Sequence, residues 1–275
     1  MQHAPEKHSD EPIVRCENLV AGYGDTVVLD DINLEIHRGE ITTLLGGSGS
    51  GKSTLMKTMI GLIPPLDGKC MVLGEELYDM PQKERSEFLS NVGMMFQYGA
   101  LMGSRTIRDN IALPLEQHTK LPNEVIDEMI RMRLSLVGLE GLQNRLPSDI
   151  SGGQRKRIAL ARATIMDPQI IFADEPSAGL DPIVAAGLDD LLRRMQRLFK
   201  MTMVVVTHEL ESIKILADRV VMIHDGDIRA TGTVEELAQS EDEVVHDFFH
   251  RIAPEYLETG GESVLSMLTQ TDQRA

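Results

Sequence analysis

Ile41-Thr42-Thr43-Leu44-Leu45-Gly46-Gly47-Ser48-Gly49-Ser50-Gly51-Lys52-Ser53-Thr54 is the stretch whose reading decides the fold. Its first five residues form an apolar run of strand character, and Gly46 to Ser53 fit the pattern G-x4-G-K-[S/T]. Glycine lets the backbone curl so that several N–H groups face one anion. A helix expected over residues 52–61 adds the positive end of its dipole at the same point. Lys52 supplies a point charge suited to terminal phosphates, and Ser53 a hydroxyl suited to Mg²⁺. Strand, loop and helix together predict a cradle for a nucleoside triphosphate, with Gly46, Gly47, Ser48, Gly49, Ser50, Gly51, Lys52, Ser53 and Thr54 as its lining.

Outward from this stretch, strand-like and helical patterns alternate. Residues 12–40 read as strands through Ile13, Val14, Leu19, Val20, Val27, Val28, Leu29, Ile32, Leu34 and Ile36, with turns at Gly22, Gly24 and Asp25. Residues 92–96 suggest another strand. Residues 106–166 are helical in pattern: Ile126, Met129, Ile130, Leu134 and Val137 recur at helical spacing, and Asn123 is expected as an N-cap after Pro122. Residues 170–173 and 203–207 are wholly apolar, as in a parallel sheet covered on both faces. Between them a helix is expected, with Asp181 as N-cap and Pro182 at its first position. A hairpin follows over 219–230 around Asp225-Gly226, then a helix from Thr233 to about Ser240. The alternation predicts an α/β sheet protein; no internal repeat is visible.

Composition narrows the partners. The 275 residues carry a net charge of −16, which disfavours nucleic acid and a broad face of anionic lipid. The longest apolar runs are far too short to span a bilayer, so a membrane role would come through a partner. Trp is absent and aromatics are 4%, which leaves aliphatic residues and 16 Met to fill the core. Cys16 and Cys70, outside any CxxC pair and without a leader-like segment, suggest a reducing compartment.

Two further constellations carry chemistry. Ile170-Ile171-Phe172-Ala173 ends in Asp174-Glu175, two carboxylates at a strand end, where side chains reach a ligand crevice. Asp174 suits a metal, and Glu175 suits orientation of an attacking water. Alone the pair is an ordinary solvated turn; next to a phosphate loop it is not. Ser151-Gly152-Gly153-Gln154 reads both as a capping box and as an anion site at a helix N-terminus.

These motifs, in this order, resemble the ABC ATPases over residues 12–247. Ser151 to Gln154 match the family signature, with Ile150 where Leu is usual. The resemblance implies a P-loop NTPase with a RecA-like core, an antiparallel β subdomain and an α-helical subdomain at about 98–166. It also implies hydrolysis of ATP with Mg²⁺ on behalf of a separate integral-membrane permease. By the same resemblance Tyr23 stacks on adenine. Ser53, Gln97 and Asp174 attend Mg²⁺, Glu175 and His208 with Gln97 serve catalysis, and Asp181 ends a loop facing the opposite protomer. Ser151, Gly152, Gly153 and Gln154 would meet the nucleotide held by a second copy, giving a homodimer with two shared sites. The rest of the chain is expected as a disordered arm (1–11) and a C-terminal extension (248–275).

Phe96-Gln97-Tyr98-Gly99-Ala100-Leu101, Asp181-Pro182-Ile183 and Thr207-His208-Glu209-Leu210-Glu211-Ser212 further resemble the ATPases of Mla-type phospholipid transporters, although Glu209 stands where Asp is commoner. That likeness implies an MCE-domain lipid-binding protein and a small STAS-domain protein as partners, at the cytoplasmic face of the inner membrane. Alternatives are an ABC importer for amino acids, metals or other small solutes, and a non-transport ABC ATPase. Tyr256, Leu257, Val264, Leu265, Met267 and Leu268 read either as a loose terminus or as a docking segment on a neighbouring ATPase.

Overall fold

The computed structural model describes residues 11–251. The tail residues from 252 onward and residues 1–10 of the expected arm lie outside that range. The chain divides into two compact units, Met1–Val234 and Glu235–Ala275.

The first unit opens with a long hairpin, β1 (Val14–Tyr23) and β2 (Thr26–Ile36), followed by β3 (Ile41–Leu45) and α1 (Lys52–Met59). Next come β4 (Pro65–Val72), β5 (Glu75–Glu76), α2 (Gln82–Leu89) and β6 (Val92–Met95). Three helices then interrupt the strands: α3 (Ile107–His118), α4 (Asn123–Leu136) and α5 (Gly152–Thr164). Strands resume as β7 (Ile170–Asp174), α6 (Pro182–Phe199), β8 (Thr202–Val206), α7 (Leu210–Leu216), β9 (Arg219–His224) and β10 (Asp227–Gly232).

A four-stranded antiparallel sheet has the order β2-β1-β4-β5, and a six-stranded sheet has the order β10-β9-β3-β8-β7-β6. In the larger sheet every pair is parallel except β9 with β10, whose two-residue turn puts Asp225 at φ 48 and Gly226 at φ 83. Positive φ at both turn residues is what a tight hairpin of this kind requires.

The all-apolar strands have a specific reason. Successive side chains of a strand point to opposite faces. Ile171, Ala173, Met203 and Val205 enter a core shared with α3, α4, α5 and α6. Their neighbours Ile170, Phe172, Val204 and Val206 enter a second core shared with α1 and the antiparallel sheet. Both faces are covered, so these positions are apolar, and the polar residues of the central strands, Thr42, Thr43 and Thr202, are small and buried. The start of β3 is pinned from outside: Asp218 accepts from the Ile41 N–H at 2.8 Å and from Arg193 of α6 at 2.6 and 2.5 Å. Burial pushes the Asp218 carboxyl up, but Arg193 and the Ile41 amide overcome it and hold it below its ordinary value.

Three local differences from the sequence reading have physical causes. Pro122, not Asn123, caps α4: its carbonyl accepts from the Val125 and Ile126 amides at 3.0 and 3.1 Å, and Asn123 is already helical. β4 shows an apolar run only at its end, Cys70-Met71-Val72, because most of its earlier residues are exposed; its partner β1 carries the pattern. Cys16 and Cys70 lie directly opposite on β1 and β4, as free buried thiols with sulfurs 3.7 Å apart.

The second unit carries most of α8 (Val234–Ala238) and then α9 (Glu243–His250). Asp242 caps α9 by accepting from the Val244 and Val245 amides at 3.1 and 3.2 Å. Among the described residues no helix is long and apolar enough to cross a membrane.

Candidate functional site

Parallel pairing puts the carboxyl ends of β3, β6, β7 and β8 along one edge, and the loops leaving those ends carry the candidate residues. This is where open α/β sheets bind ligands.

After β3 the chain turns through Gly46 (φ 152), Gly49 (φ 81) and Gly51 (φ 108), conformations that a side chain would resist. A Cβ on Gly46 would sit 2.1 Å from the Ile223 carbonyl oxygen, so only glycine lets this loop lie against β9. Lys52 is 8% exposed, and its ammonium donates to the Gly46 and Gly47 carbonyls at 2.9 and 2.6 Å and to Ser50 Oγ at 3.4 Å. Burial lowers its proton affinity, and Glu175 and Asp174 oppose that shift. Gly49, Gly51, Lys52, Ser53 and Thr54 border a cavity of about 210 Å³ together with Val28 and Tyr23. Tyr23, at the end of β1, is 50% exposed and has the Lys57 ammonium 5.9 Å from its ring centre. An exposed ring at the mouth of a phosphate cradle can receive a flat base.

After β7, Asp174 and Glu175 are both part-buried. Burial raises the Asp174 carboxyl, and Glu175 beside it adds to that, while Lys57, Lys156 and Lys52 pull it down. Glu175 has a left-handed backbone, φ 44, that non-glycine residues rarely adopt. Its amide donates to the Val206 carbonyl at 2.9 Å, which ties it to β8. From the loop after β8, exposed His208 reaches back so that Nδ1 lies 2.7 Å from Glu175 Oε1. Gln97, just beyond β6, is part-buried, and its carbonyl accepts from Lys156 of α5.

The strand edge thus brings together Lys52, Ser53, Gln97, Asp174, Glu175 and His208. Crowded part-buried carboxylates beside a lysine and a hydroxyl form an oxygen-rich set that suits a hard dication.

Ser151 is exposed at the N-terminus of α5. Its Oγ accepts from the Gln154 amide at 3.2 Å, and its own amide donates to Gln154 Oε1 at 2.9 Å, which closes a capping box. Gly153 and Gly152 touch the neighbouring helix start: a Cβ on Gly153 would lie 2.7 Å from Val184, and one on Gly152 would lie 3.8 Å from Leu180. Asp181, exposed, caps α6 by accepting from the Val184 amide at 3.1 Å. The Ser151 loop and the segment ending at Asp181 therefore form one ridge.

Sequence reading missed Lys156, which also bonds the Glu175 carbonyl at 3.1 Å, and Asp189, buried under the same loops near Ser177 and Ser212. The only sequence signal was a charged residue on the inward face of each amphipathic helix.

The family model described as "ABC transporter" matches residues 29–178. The chain is 37% identical to the intermembrane phospholipid transport system ATP-binding protein MlaF of Haemophilus influenzae, over 85% of this chain and 88% of that one. It is 37% identical to a probable ribonucleotide transport ATP-binding protein of Mycobacterium leprae (88% and 70% covered). It is 39% identical to the methionine import ATP-binding protein MetN of Clostridium tetani (78% and 67% covered). Among solved structures, cbiO1 of Clostridium perfringens, part of the ABC transporter complex cbiONQ, superposes with TM-score 0.77 at 30% identity, covering 88% and 96%. The ATP-binding cassette MJ0796, a post-hydrolysis dimer bound to ADP and Pi, superposes with TM-score 0.73 at 28% identity, covering 80% and 98%. The phosphate loop, the strand-end acids and the signature cap agree with these matches: the chain belongs to the ABC transporter ATP-binding family and is an ATPase whose hydrolysis is coupled to transport.

Proposed function

We propose that the chain powers phospholipid transfer between membranes, as a homodimer that closes around two MgATP molecules beneath an integral-membrane permease. The observation that carries the dimer is the division of the site. Phosphate loop, acids and histidine lie along one strand edge, while the exposed Ser151 and its part-buried glycines stand at a separate ridge. A nucleotide held on the edge of one copy would meet the ridge of the other, in a two-fold head-to-tail pair.

Within such a site the Gly46–Gly51 amides and Lys52 hold the β- and γ-phosphates, and Tyr23 stacks on adenine. Ser53, Asp174 and, at the rim, Gln97 hold Mg²⁺, directly or through water. Bound there, Mg²⁺ would supply neutralisation of the phosphate charge. Glu175, with Gln97 beside it, orients and polarises water towards that phosphate, and His208, hydrogen-bonded to Glu175, steadies the carboxylate. Ser151 and the amides of Gly152, Gly153 and Gln154 in the second copy present a helix N-terminus to the same charge. Asp181 lies on that ridge and contacts the mate.

The permease face is supported by Phe96 and Tyr98, which are 39% and 87% exposed, beside a cavity of about 300 Å³ that includes Phe96, Leu113, Arg162 and Met166. The phospholipid cargo rests on the MlaF likeness; partners of the MCE and STAS types and the cytoplasmic face of an inner membrane follow from the same reading. The MetN likeness supports import of a small solute as a second reading. We take the domain limits as 12–247 for the ATPase and 248–275 for an extension.

The test is reconstitution with the membrane subunit that co-purifies with this chain. ATP-driven movement of labelled phospholipid between vesicles is expected. Uptake of an amino acid without lipid movement would replace the lipid reading, and full hydrolysis by a strict monomer would remove the shared site.

A further inference from the structure

Lys156 lies in the second turn of α5, five positions after Ser151, and is 7% exposed. Lysine is almost never buried unless paired. Among the described residues its ammonium has no ion pair; it donates instead to two main-chain oxygens, those of Gln97 and Glu175, the latter at 3.1 Å. These are the two residues that the preceding reading assigns to the attacking water, and they leave different strands, β6 and β7.

The Glu175 peptide needs such a partner. Its φ of 44 lies in the left-handed region, and a strained residue persists only when its surroundings over-determine it. The Val206 carbonyl fixes its N–H side at 2.9 Å, and Lys156 fixes its C=O side at 3.1 Å, together with the Ala178 amide at 3.3 Å. With the peptide held at both ends, the side chain has one exit direction, the one that meets His208 at 2.7 Å. The same ammonium fixes the Gln97 peptide.

We propose that Lys156 is a positioning residue for hydrolysis: it clamps the carbonyls of Gln97 and Glu175 and so joins the Ser151-capped helix to the water-orienting residues of its own chain. The inference rests on the assignment of Glu175 and Gln97 to the water. A shift of α5 when its N-terminus meets the mate's nucleotide would reach Glu175 through one side chain. Each copy's acid would then be set by occupancy of the site to which that copy lends its cap.

The test uses the full chain and compares K156M, which keeps the length but has no N–H, with K156Q, which keeps two N–H donors. E175Q is the control. K156M is expected to lose at least tenfold in kcat with KM for ATP within twofold, and its Hill coefficient for ATP falls towards one; K156Q recovers most of kcat. Wild-type kcat in K156M overturns the clamp. So does a joint loss of kcat and ATP affinity, in K156M and K156Q alike, that follows the folded fraction in thermal melts. Normal turnover by E175Q would instead remove the water assignment, whereas an inactive E175Q beside a fully active K156M would remove the clamp alone.

Discussion

The strand edge and the N-terminus of α5 both offer a place for phosphate, and they are built in opposite ways. At the edge, Glu175 is held by groups from distant parts of the chain, Val206, Lys156 and His208, and Lys52 by the carbonyls of its own loop. At α5, Ser151 is exposed, and its hydrogen bonds among the described residues run to Gln154 and Arg155 of the same helix. The edge is a preorganised electrostatic site, whose donors need not move when charge develops. The α5 cap is locally complete and can be carried as a rigid body towards a ligand held elsewhere. A composite site needs this asymmetry, because the half that performs chemistry must be fixed and the half that completes it must arrive.

The largest expected effect falls on the edge. Glu175→Gln removes the base but keeps the shape, so turnover should fall by about 100-fold or more, the range for loss of a general base. Binding of labelled ATP should persist, and ATP-loaded dimer should accumulate on a sizing column. Turnover near the wild-type rate would leave the edge without its proposed base.

A smaller effect tests the cap. Ser151→Ala should cost about 1 kcal/mol of stability through the lost N-cap. If the hydroxyl also meets the mate's phosphate, turnover should fall by roughly tenfold, the scale of a hydrogen bond to a charged group. A melting shift with unchanged turnover per folded molecule would reduce Ser151 to a cap and erase the contrast between the two regions.

The smallest effect lies in the pin beneath the edge. Asp218 is held below its ordinary value despite burial, chiefly by Arg193. A carboxyl depressed in the fold contributes stability that is complete above its unfolded value, about 3.9. That contribution is lost as pH falls through the folded value. Arg193→Met should therefore lower stability at pH 7 by about 1 kcal/mol, a part-exposed pair being discounted for screening. In urea melts the gap from wild type should narrow as pH falls below the unfolded value of about 3.9; a gap that stays constant there would assign Arg193's contribution to packing.

Much of this was legible before folding was considered. The phosphate loop, the acids at 174 and 175, the signature cap, the Asp181-Pro182 helix start and the Asp225-Gly226 turn are short local patterns. Each works by backbone physics over a few residues. The antiparallel strands β4 and β5 were not legible, because their order comes from pairing, β4 with β1 and β5 with β4, rather than from their own side chains. Asn123 was misplaced by one residue, since Pro122 can supply the cap carbonyl equally well.

The sequence by itself determined which groups this protein has: a strand–loop–helix cradle, two strand-end carboxylates and a glycine-flanked serine at a helix start. Local geometry dictates those, because a turn or a cap involves only near neighbours. The tertiary structure alone decided which groups meet. Parallel order in one sheet sets Gln97, Glu175 and His208 side by side, although 78 residues separate Gln97 from Glu175 (175 − 97) and 33 separate Glu175 from His208. It also buries Lys156 between them, since one ammonium there bonds two peptides that no local pattern brings together.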